Sequence, residues 1–152
     1  MLSKEELNDI FEYKNGDLIR KKTRKIIKSP VNGYFRATIN KKIYLAHRII
    51  FMMHHGFVPK IIDHINGNRS DNRIDNLRVA SNNQNAWNRI ANKNSTNPIK
   101  GIRLHKDNKW EARIQVNKKS KYLGVFDDIE LAELVVVEAR NKYHKEFANN
   151  GY

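Results

Sequence analysis

Cysteine is absent from this chain of 152 residues. Its absence excludes disulfide bonds, thiolate zinc sites and cysteine nucleophiles. No apolar stretch approaches the roughly 18 residues that a membrane-spanning helix needs. The first residues, MLSKEELND, carry acids where a secretory leader would be basic and then apolar. We therefore expect a cytoplasmic protein that makes no contact with a membrane.

Acidic residues are scarce and unevenly distributed. Lys and Arg number 29 against 16 Asp and Glu, which gives a formal charge of +13. The basic segments are 20–28, 31–60 and 100–121, and the acidic one is 127–146. A single charged run is often only a solvated surface. Three basic segments followed by an acidic one instead predict a shared surface for a polyanion.

Local signals predict a β-rich N-terminal part. Ser3 and Glu6 form a capping box for a short helix, and Asn15-Gly16 is a hairpin turn signal. Residues 33–46 alternate as a second hairpin, and a helix is predicted to follow over about 46–55. Beyond it we expect a strand at 60–65, a polar loop at 66–76, a strand at 77–80 and a helix from about 82. Ser81 and Gln84 form a second capping box at the start of that helix.

The last third of the chain is predicted to be a separate unit. Residues 92–98 hold no apolar side chain and are interpreted as a linker between domains at 1–91 and 99–152. After the linker, the pattern predicts a three-stranded antiparallel sheet followed by one helix. The apolar stripe of that helix can pack on the Trp110 face of the sheet; it consists of Ala132, Val136, Ala139, Tyr143 and Phe147. The predicted fold class is therefore α+β.

Asparagine is concentrated in one region, since eleven of the twenty lie between 61 and 97. One interpretation is a loop rich in Asx turns, in which side chains replace missing backbone partners. A calcium loop is a second, but the ligands do not alternate and no glycine falls at the sixth position. A third interpretation follows from the order and spacing of four residues. Eleven residues separate Asp63-His64 from Asn76, and eight separate Asn76 from Asn85.

This order, and the string DHINGNRSDNRIDNL in which it begins, resembles the ββα-metal motif of phage-type HNH homing endonucleases. The segment YLAHR at 44–48 and the helix after it resemble the lead-in of the same family. The third motif position is Asn85 rather than His, as in several homing members. The resemblance implies a DNA endonuclease, acting in a bacterial or phage-infected cytoplasm.

The resemblance also implies a role for each motif residue. His64 would be the general base that takes a proton from water, a task suited to a neutral imidazole. Asp63 and Asn85 would bind one Mg²⁺ or Mn²⁺, which oxygen ligands suit better than zinc. Asn76 would brace the loop. For His47 a packing or helix-start role is expected rather than a catalytic one.

The C-terminal unit resembles the Apetala-type (ethylene-response-factor) DNA-binding domain in its segments GIR, KWEARI and YLGVF. In that family the sheet lies in the major groove and the helix lies behind it. The positions that match its base-reading residues are Arg103, Arg113, Gln115 and Tyr122. Lys118, Lys119 and Lys121 would then contact phosphates, which position a protein on DNA without specifying sequence.

Three functions are compatible with these features. The first is a metal-dependent, site-specific DNA endonuclease that acts on double-stranded DNA, as a monomer and without a small-molecule cofactor. The second is a DNA-binding regulator whose nuclease module is inactive. The third is a basic RNA-binding protein, which accounts for the charge but not for the ordered Asp-His, Asn and Asn set.

Overall fold

The computed structural model describes residues 2–89 and 99–150. The predicted linker at 92–98 lies outside the described residues. The chain divides into two compact units, Met1–Ala80 and Ser81–Tyr152. Each is built from short antiparallel strands and helices, so the predicted α+β class is confirmed. Across the described ranges, no helix combines the length and the apolar character that crossing a bilayer requires.

The first unit begins with the helix and hairpin that its turn signals predict. Helix α1 spans Lys4–Ile10, and Ser3 caps it through the predicted capping box with Glu6. The first three-stranded sheet follows; its members are β1 (Phe11–Lys14), β2 (Asp17–Arg20) and β3 (Lys25–Ile26). Positive φ values of 47° at Asn15 and 91° at Gly16 form the turn between β1 and β2.

A second sheet leads into the longest helix of this unit. Its strands are β4 (Pro30–Val31), β5 (Tyr34–Ile39) and β6 (Lys42–Leu45), in that order. Helix α2 spans Ala46–His55 and ends at Gly56, which is left-handed as its position predicts. The core between these elements is apolar and closely packed; its most buried large side chains are Leu7, Phe11, Leu18, Ile49 and Ile50.

The first unit ends in a two-stranded ribbon. Strand β7 (Ile62–His64) pairs with β8 (Leu77–Val79), and a 3₁₀ turn at Ile74–Asn76 precedes β8. Both strands are shorter than the sequence pattern predicts. Helix α3 (Asn82–Trp87) follows in the chain and belongs to the second unit. The chain order β, β, α is the one that the motif predicts.

The second unit also contains a three-stranded meander and a long helix. Strands β9 (Ile102–Leu104), β10 (Trp110–Val116) and β11 (Lys119–Phe126) form a sheet in the order β11-β10-β9. Helix α4 spans Ile129–His144, and a 3₁₀ turn continues to Phe147. The predicted stripe is confirmed, because Ala132, Val136 and Ala139 are buried with Ala112 and Ile114 of the sheet.

One polar side chain of β10 is buried. Alternation puts Glu111 on the same side of the strand as Arg113 and Gln115, yet only 4% of it is exposed. The register of β10 against β11 shifts between Ala112 and Arg113, which marks a bulge. The side chains of Arg103 and Arg113 both bind the Glu111 carboxylate and cover it. Ion pairing, rather than an apolar environment, therefore accounts for its burial.

Candidate active site

The β7–β8 ribbon positions the first two residues of the motif. Asp63 lies opposite Arg78 in the ladder, and His64 lies opposite Leu77. Because neighbouring strand residues point to opposite faces, Asp63 and His64 leave the ribbon in different directions. Strand β7 ends at His64, whose carbonyl oxygen accepts a hydrogen bond from the Gly67 N–H at 2.8 Å.

Asn76 closes the loop between the two strands. Its Oδ1 accepts from the Asn66 N–H at 3.0 Å, and its Nδ2 donates to Asn66 Oδ1 at 3.0 Å and to the Asp71 carbonyl at 2.8 Å. The side chains of Asn66 and Asn68 each accept from the backbone N–H two residues later. These Asx turns replace strand hydrogen bonds, so side-chain amides determine the shape of the loop.

The Asp71–Arg73 pair adds a charged link within this loop. Arg73 Nε donates to Asp71 Oδ1 at 2.9 Å, and Nη2 donates to Oδ2 at 2.7 Å. Hydrogen bonds from Arg73 are the main reason that the pKa of Asp71 is lowered to about 2. Asp71 therefore stays ionised, and the pair persists throughout the neutral range.

The N-terminal hairpins hold the same loop from outside. Tyr13 Oη accepts from the Ile74 N–H at 3.0 Å, and Ser70 Oγ donates to the Gly33 carbonyl at 2.9 Å. At Gly16, where φ is +91°, an added Cβ would lie 3.0 Å from the backbone nitrogen of Arg73. The turn thus needs glycine for its conformation and for the close approach of the loop.

His64 is buried and oriented by Asn72. It is 5% exposed, and its Nε2 lies 3.1 Å from Oδ1 of Asn72, which is 2% exposed. A carbonyl oxygen only accepts, so this bond places a proton on Nε2. Burial is the main cause that lowers the pKa of His64, although the Asn72 bond and Asp63 oppose it. The imidazole is therefore neutral at pH 7.

Other rings and one cation surround His64. The ring centroid of His47 lies 5.1 Å from that of His64, and the Tyr34 ring lies 5.3 Å from His47 and 6.0 Å from His64. Burial is the main cause that lowers the pKa of His47 to about 3. The Arg69 guanidinium lies 5.2 Å from the Tyr34 ring centroid. We name His47, His64 and Asn72 the histidine cluster.

Asp63 has a different neighbour. It is 4% exposed, and Arg78 Nε donates to its Oδ2 at 2.9 Å. The Arg78 side chain is itself only 16% exposed. Asn85 is half-buried on α3, in the second unit. Within the first unit the structure therefore brings His64 together with Asn72 and His47, and Asp63 together with Arg78.

The sheet of the second unit carries the predicted DNA-binding residues. Arg103 donates from Nη2 to Glu111 Oε2 at 3.0 Å, and its Nε lies 2.9 Å from Oε1. Arg113 also donates to Glu111, and its guanidinium lies 5.5 Å from the Tyr122 ring centroid. Hydrogen bonds from Arg103 and then Arg113 lower the pKa of Glu111. We name Arg103, Glu111 and Arg113 the arginine cluster.

The remaining predicted contacts lie on β10, β11 and the turn between them. Gln115 is exposed on β10, and Tyr122 is 54% exposed on β11. Lys118 occupies the turn with φ 66°, and Lys119 is exposed at the start of β11. Lys121 donates to the Tyr143 hydroxyl of α4. These side chains are exposed, but their surroundings differ. Lys121 contacts α4, whereas Lys118 lies in the turn between β10 and β11.

Sequence reasoning missed three neighbours of the predicted residues. Asn72 lies within the string that carries the motif, but nothing distinguishes it there from the other asparagines. Arg78 lies opposite Asp63 in the ladder, and no local sequence pattern gives that register. Glu111 is one of only two acids within the basic segment 100–121, which is a signal that could have identified it.

The comparisons define the class of this site. Residues 44–87, which contain Asp63, His64, Asn76 and Asn85, match the HNH endonuclease family. The chain therefore carries an HNH endonuclease domain, and the match ends before the sheet of the second unit.

A curated phage protein extends this likeness along the chain. The chain is 31% identical to Protein 3.8 of Escherichia phage T7 over 114 residues. The aligned region covers 71% of this chain and 93% of the phage protein. The chain belongs to the same family as that phage protein. No solved structure matches this chain.

Proposed function

We propose that the chain is a metal-dependent, site-specific DNA endonuclease of the homing type. It would hydrolyse phosphodiester bonds of double-stranded DNA as a monomer, in the cytoplasm of a phage-infected cell. The HNH match at residues 44–87 and the phage relative support this class. The observation that carries the proposal is the buried, neutral His64 with Asn72 on its Nε2.

His64 fits the role of general base. A neutral imidazole can take a proton from the attacking water, and Asn72 accepts the N–H of Nε2. Asn72 thereby fixes the tautomer and the ring orientation. Asn76 would act through the loop, because its three hydrogen bonds hold the segment that contains Asn72.

The predicted donors suit a hard cation. Asp63 supplies a carboxylate and Asn85 an amide oxygen, and Mg²⁺ or Mn²⁺ accepts such ligands while keeping several waters. The described residues contain no group of three or more His, Asp or Glu side chains that could enclose a metal ion. In the proposal Asp63 and Asn85 are the two protein ligands of the ion, and substrate and water would complete its shell. Such a cation supplies charge to the phosphate and the leaving 3′ oxygen.

The sheet of the second unit is proposed to read the major groove. Arg103 and Arg113 keep part of their guanidinium groups exposed, at 66% and 43% of their side chains. Arg can bind guanine edges and Gln115 can bind adenine, with Tyr122 beside them. The lysines proposed to contact phosphates are Lys118, Lys119 and Lys121. The Glu111 carboxylate orients both arginines before DNA arrives.

One observation favours the alternative of a DNA-binding regulator with an inactive nuclease module. The Asp63 carboxylate already binds the half-buried Arg78 at 2.9 Å, and a metal ion would have to compete for that oxygen.

A plasmid assay separates the two functions. Supercoiled plasmid carrying cloned phage and host DNA is incubated with the full chain and Mg²⁺, with or without excess EDTA. A nuclease gives nicked or linear plasmid only without EDTA, and sequencing the ends locates the site. An inactive module binds the plasmid and leaves it intact in both reactions.

A further inference from the structure

Helix α3 is held at its C-terminal end by residues of the sheet and helix that follow it. The helix has six residues, which is too short to be stable alone. Lys100 Nζ donates at 2.7 Å to the carbonyl oxygens of both Trp87 and Arg89. Burial is the main cause that lowers the pKa of Lys100 to about 8, so the ammonium still carries its charge at pH 7. A cation at this end satisfies free carbonyls and complements the helix dipole.

Two further contacts fix the same end. The Trp87 ring stacks on the His144 ring, with centroids 4.5 Å apart and planes inclined by 8°. Asn149 Nδ2 donates to the Asn88 carbonyl at 3.0 Å and to Asn88 Oδ1 at 3.2 Å. His144 is tied to the sheet, because its Nε2 lies 2.8 Å from the Gln115 carbonyl. The end of α3 is thus bound to α4, to the C-terminal segment and to the start of the sheet region.

The N-terminal end of α3 contains its own local cap. Ser81 and Gln84 form the predicted capping box, with bonds of 3.3 Å and 2.8 Å. Asn85 lies between this cap and the anchored C-terminal end. Its backbone is therefore fixed by local hydrogen bonds on one side and by Lys100, His144 and Asn149 on the other.

We infer that Lys100, His144 and Asn149 are positioning residues that hold Asn85 for metal binding. The inference rests on the proposed function, in which Asn85 is a metal ligand. It assigns the C-terminal sheet and helix a second task besides DNA recognition. Removing an anchor lets α3 fray from its last turn, so the amide oxygen of Asn85 is presented less often and metal affinity falls.

The test uses full-length protein and Mn²⁺ as the probe. Mn²⁺ broadens NMR signals near its binding site, so the side-chain amide of Asn85 reports binding directly. Lys100→Met keeps the length of the side chain and removes the ammonium. Asn149→Ala removes the bonds to Asn88, and Lys142→Met on α4 is a control with the same change of charge. Plasmid nicking against Mn²⁺ concentration and thermal unfolding are measured for each protein.

We expect Lys100→Met to raise the Mn²⁺ concentration for half-broadening and for half-maximal nicking by about tenfold, a size typical of residues that support a metal ligand. Asn149→Ala should act in the same direction by a smaller factor, and it serves as the test if Lys100→Met does not fold. Lys142→Met should match the wild type in both concentrations.

Two results would overturn the inference, and only the second would also overturn the assignment of Asn85 as a metal ligand. If Asn85→Ala abolishes Mn²⁺-dependent nicking while Lys100→Met and Asn149→Ala match the Lys142→Met control in both half-maximal concentrations, only the positioning role is wrong. If Mn²⁺ never broadens the Asn85 signals of the wild type, Asn85 is not a ligand and the metal assignment fails with the inference.

Discussion

The histidine cluster and the arginine cluster are both polar, but the first consists of neutral side chains and the second of charged ones. His47, His64 and Asn72 are 5%, 5% and 2% exposed, and burial keeps both imidazoles neutral. In the arginine cluster, charges of both signs are kept, and the pKa of Glu111 is lowered rather than raised. Arg103 and Arg113 remain partly open to solvent.

This difference suits the histidine cluster to proton transfer and the arginine cluster to DNA binding. A buried, neutral imidazole can accept a proton, and burial shields its orienting bond to Asn72 from solvent. Exposed guanidinium groups attract phosphates and bases, and their contribution falls as salt rises. Variants of the histidine cluster should therefore change rate, whereas variants of the arginine cluster should change affinity and site choice.

The largest expected effect is that of His64→Ala. Loss of a general base should lower the cleavage rate by about 10² to 10⁴. DNA affinity should stay within about threefold, because the proposed role of His64 is to take a proton from water rather than to bind DNA. Single-turnover cleavage and gel shift on the same fragment measure the two quantities. Loss of binding in step with cleavage would show that His64 has a structural role instead.

Metal binding gives the next test of the comparison. Asp63→Ala and Asn85→Ala should each weaken metal-dependent nicking, and EDTA should abolish it in the wild type. Asp75→Ala is a matched control, because Asp75 is an exposed acid in the 3₁₀ turn that precedes β8. Cleavage that continues undiminished in EDTA would remove the metal assignment.

Asn72→Ala tests whether Asn72 acts through His64. The rate should fall by roughly 10- to 100-fold, as for other residues that orient a functional histidine. In a His64→Ala background the same change should have almost no further effect on cleavage, because the partner is gone. An equal loss in both backgrounds would indicate that Asn72 supports the fold rather than the base. Thermal unfolding of each variant serves as the control.

The arginine cluster should show a smaller effect of a different kind. Arg103→Ala and Arg113→Ala should each cost roughly 1–3 kcal/mol on the proper site and much less on random DNA. Binding titrations with both DNAs measure this. Equal losses on the two substrates would mean that these arginines bind phosphates and do not read bases.

Lys118→Ala should have the smallest effect. It removes one proposed phosphate contact, so binding to all sequences should weaken alike and the salt slope should fall by about one unit. A salt series with the wild type as the reference measures the slope. An unchanged slope would remove Lys118 from the DNA surface.

The sequence predicted the elements of the fold better than the contacts of the site. Capping boxes at Ser3 and Ser81 and the turn at Asn15-Gly16 are local signals, and each is found where it was predicted. The pairing of Asp63 with Arg78 and of His64 with Asn72 depends on ladder register and on the path of a loop. Neither is encoded in local spacing.

The same limit applies in the second unit. The alternation of β10 is consistent with Ala112 and Ile114 in the core. It does not reveal the burial of Glu111, because alternation does not show that two arginines cover a carboxylate. The anchoring of α3 by Lys100 was beyond prediction for a similar reason, since the contact joins residues separated by 13 and 11 positions.

The most direct test of the account measures the single-turnover rate at saturating protein and the dissociation constant on one fragment, for His64→Ala and Arg113→Ala. We expect His64→Ala to lose rate and keep affinity. Arg113→Ala should keep the rate once the fragment is saturated and lose affinity for the proper site. If rate and affinity fall together in both variants, the division between the histidine cluster and the arginine cluster is wrong.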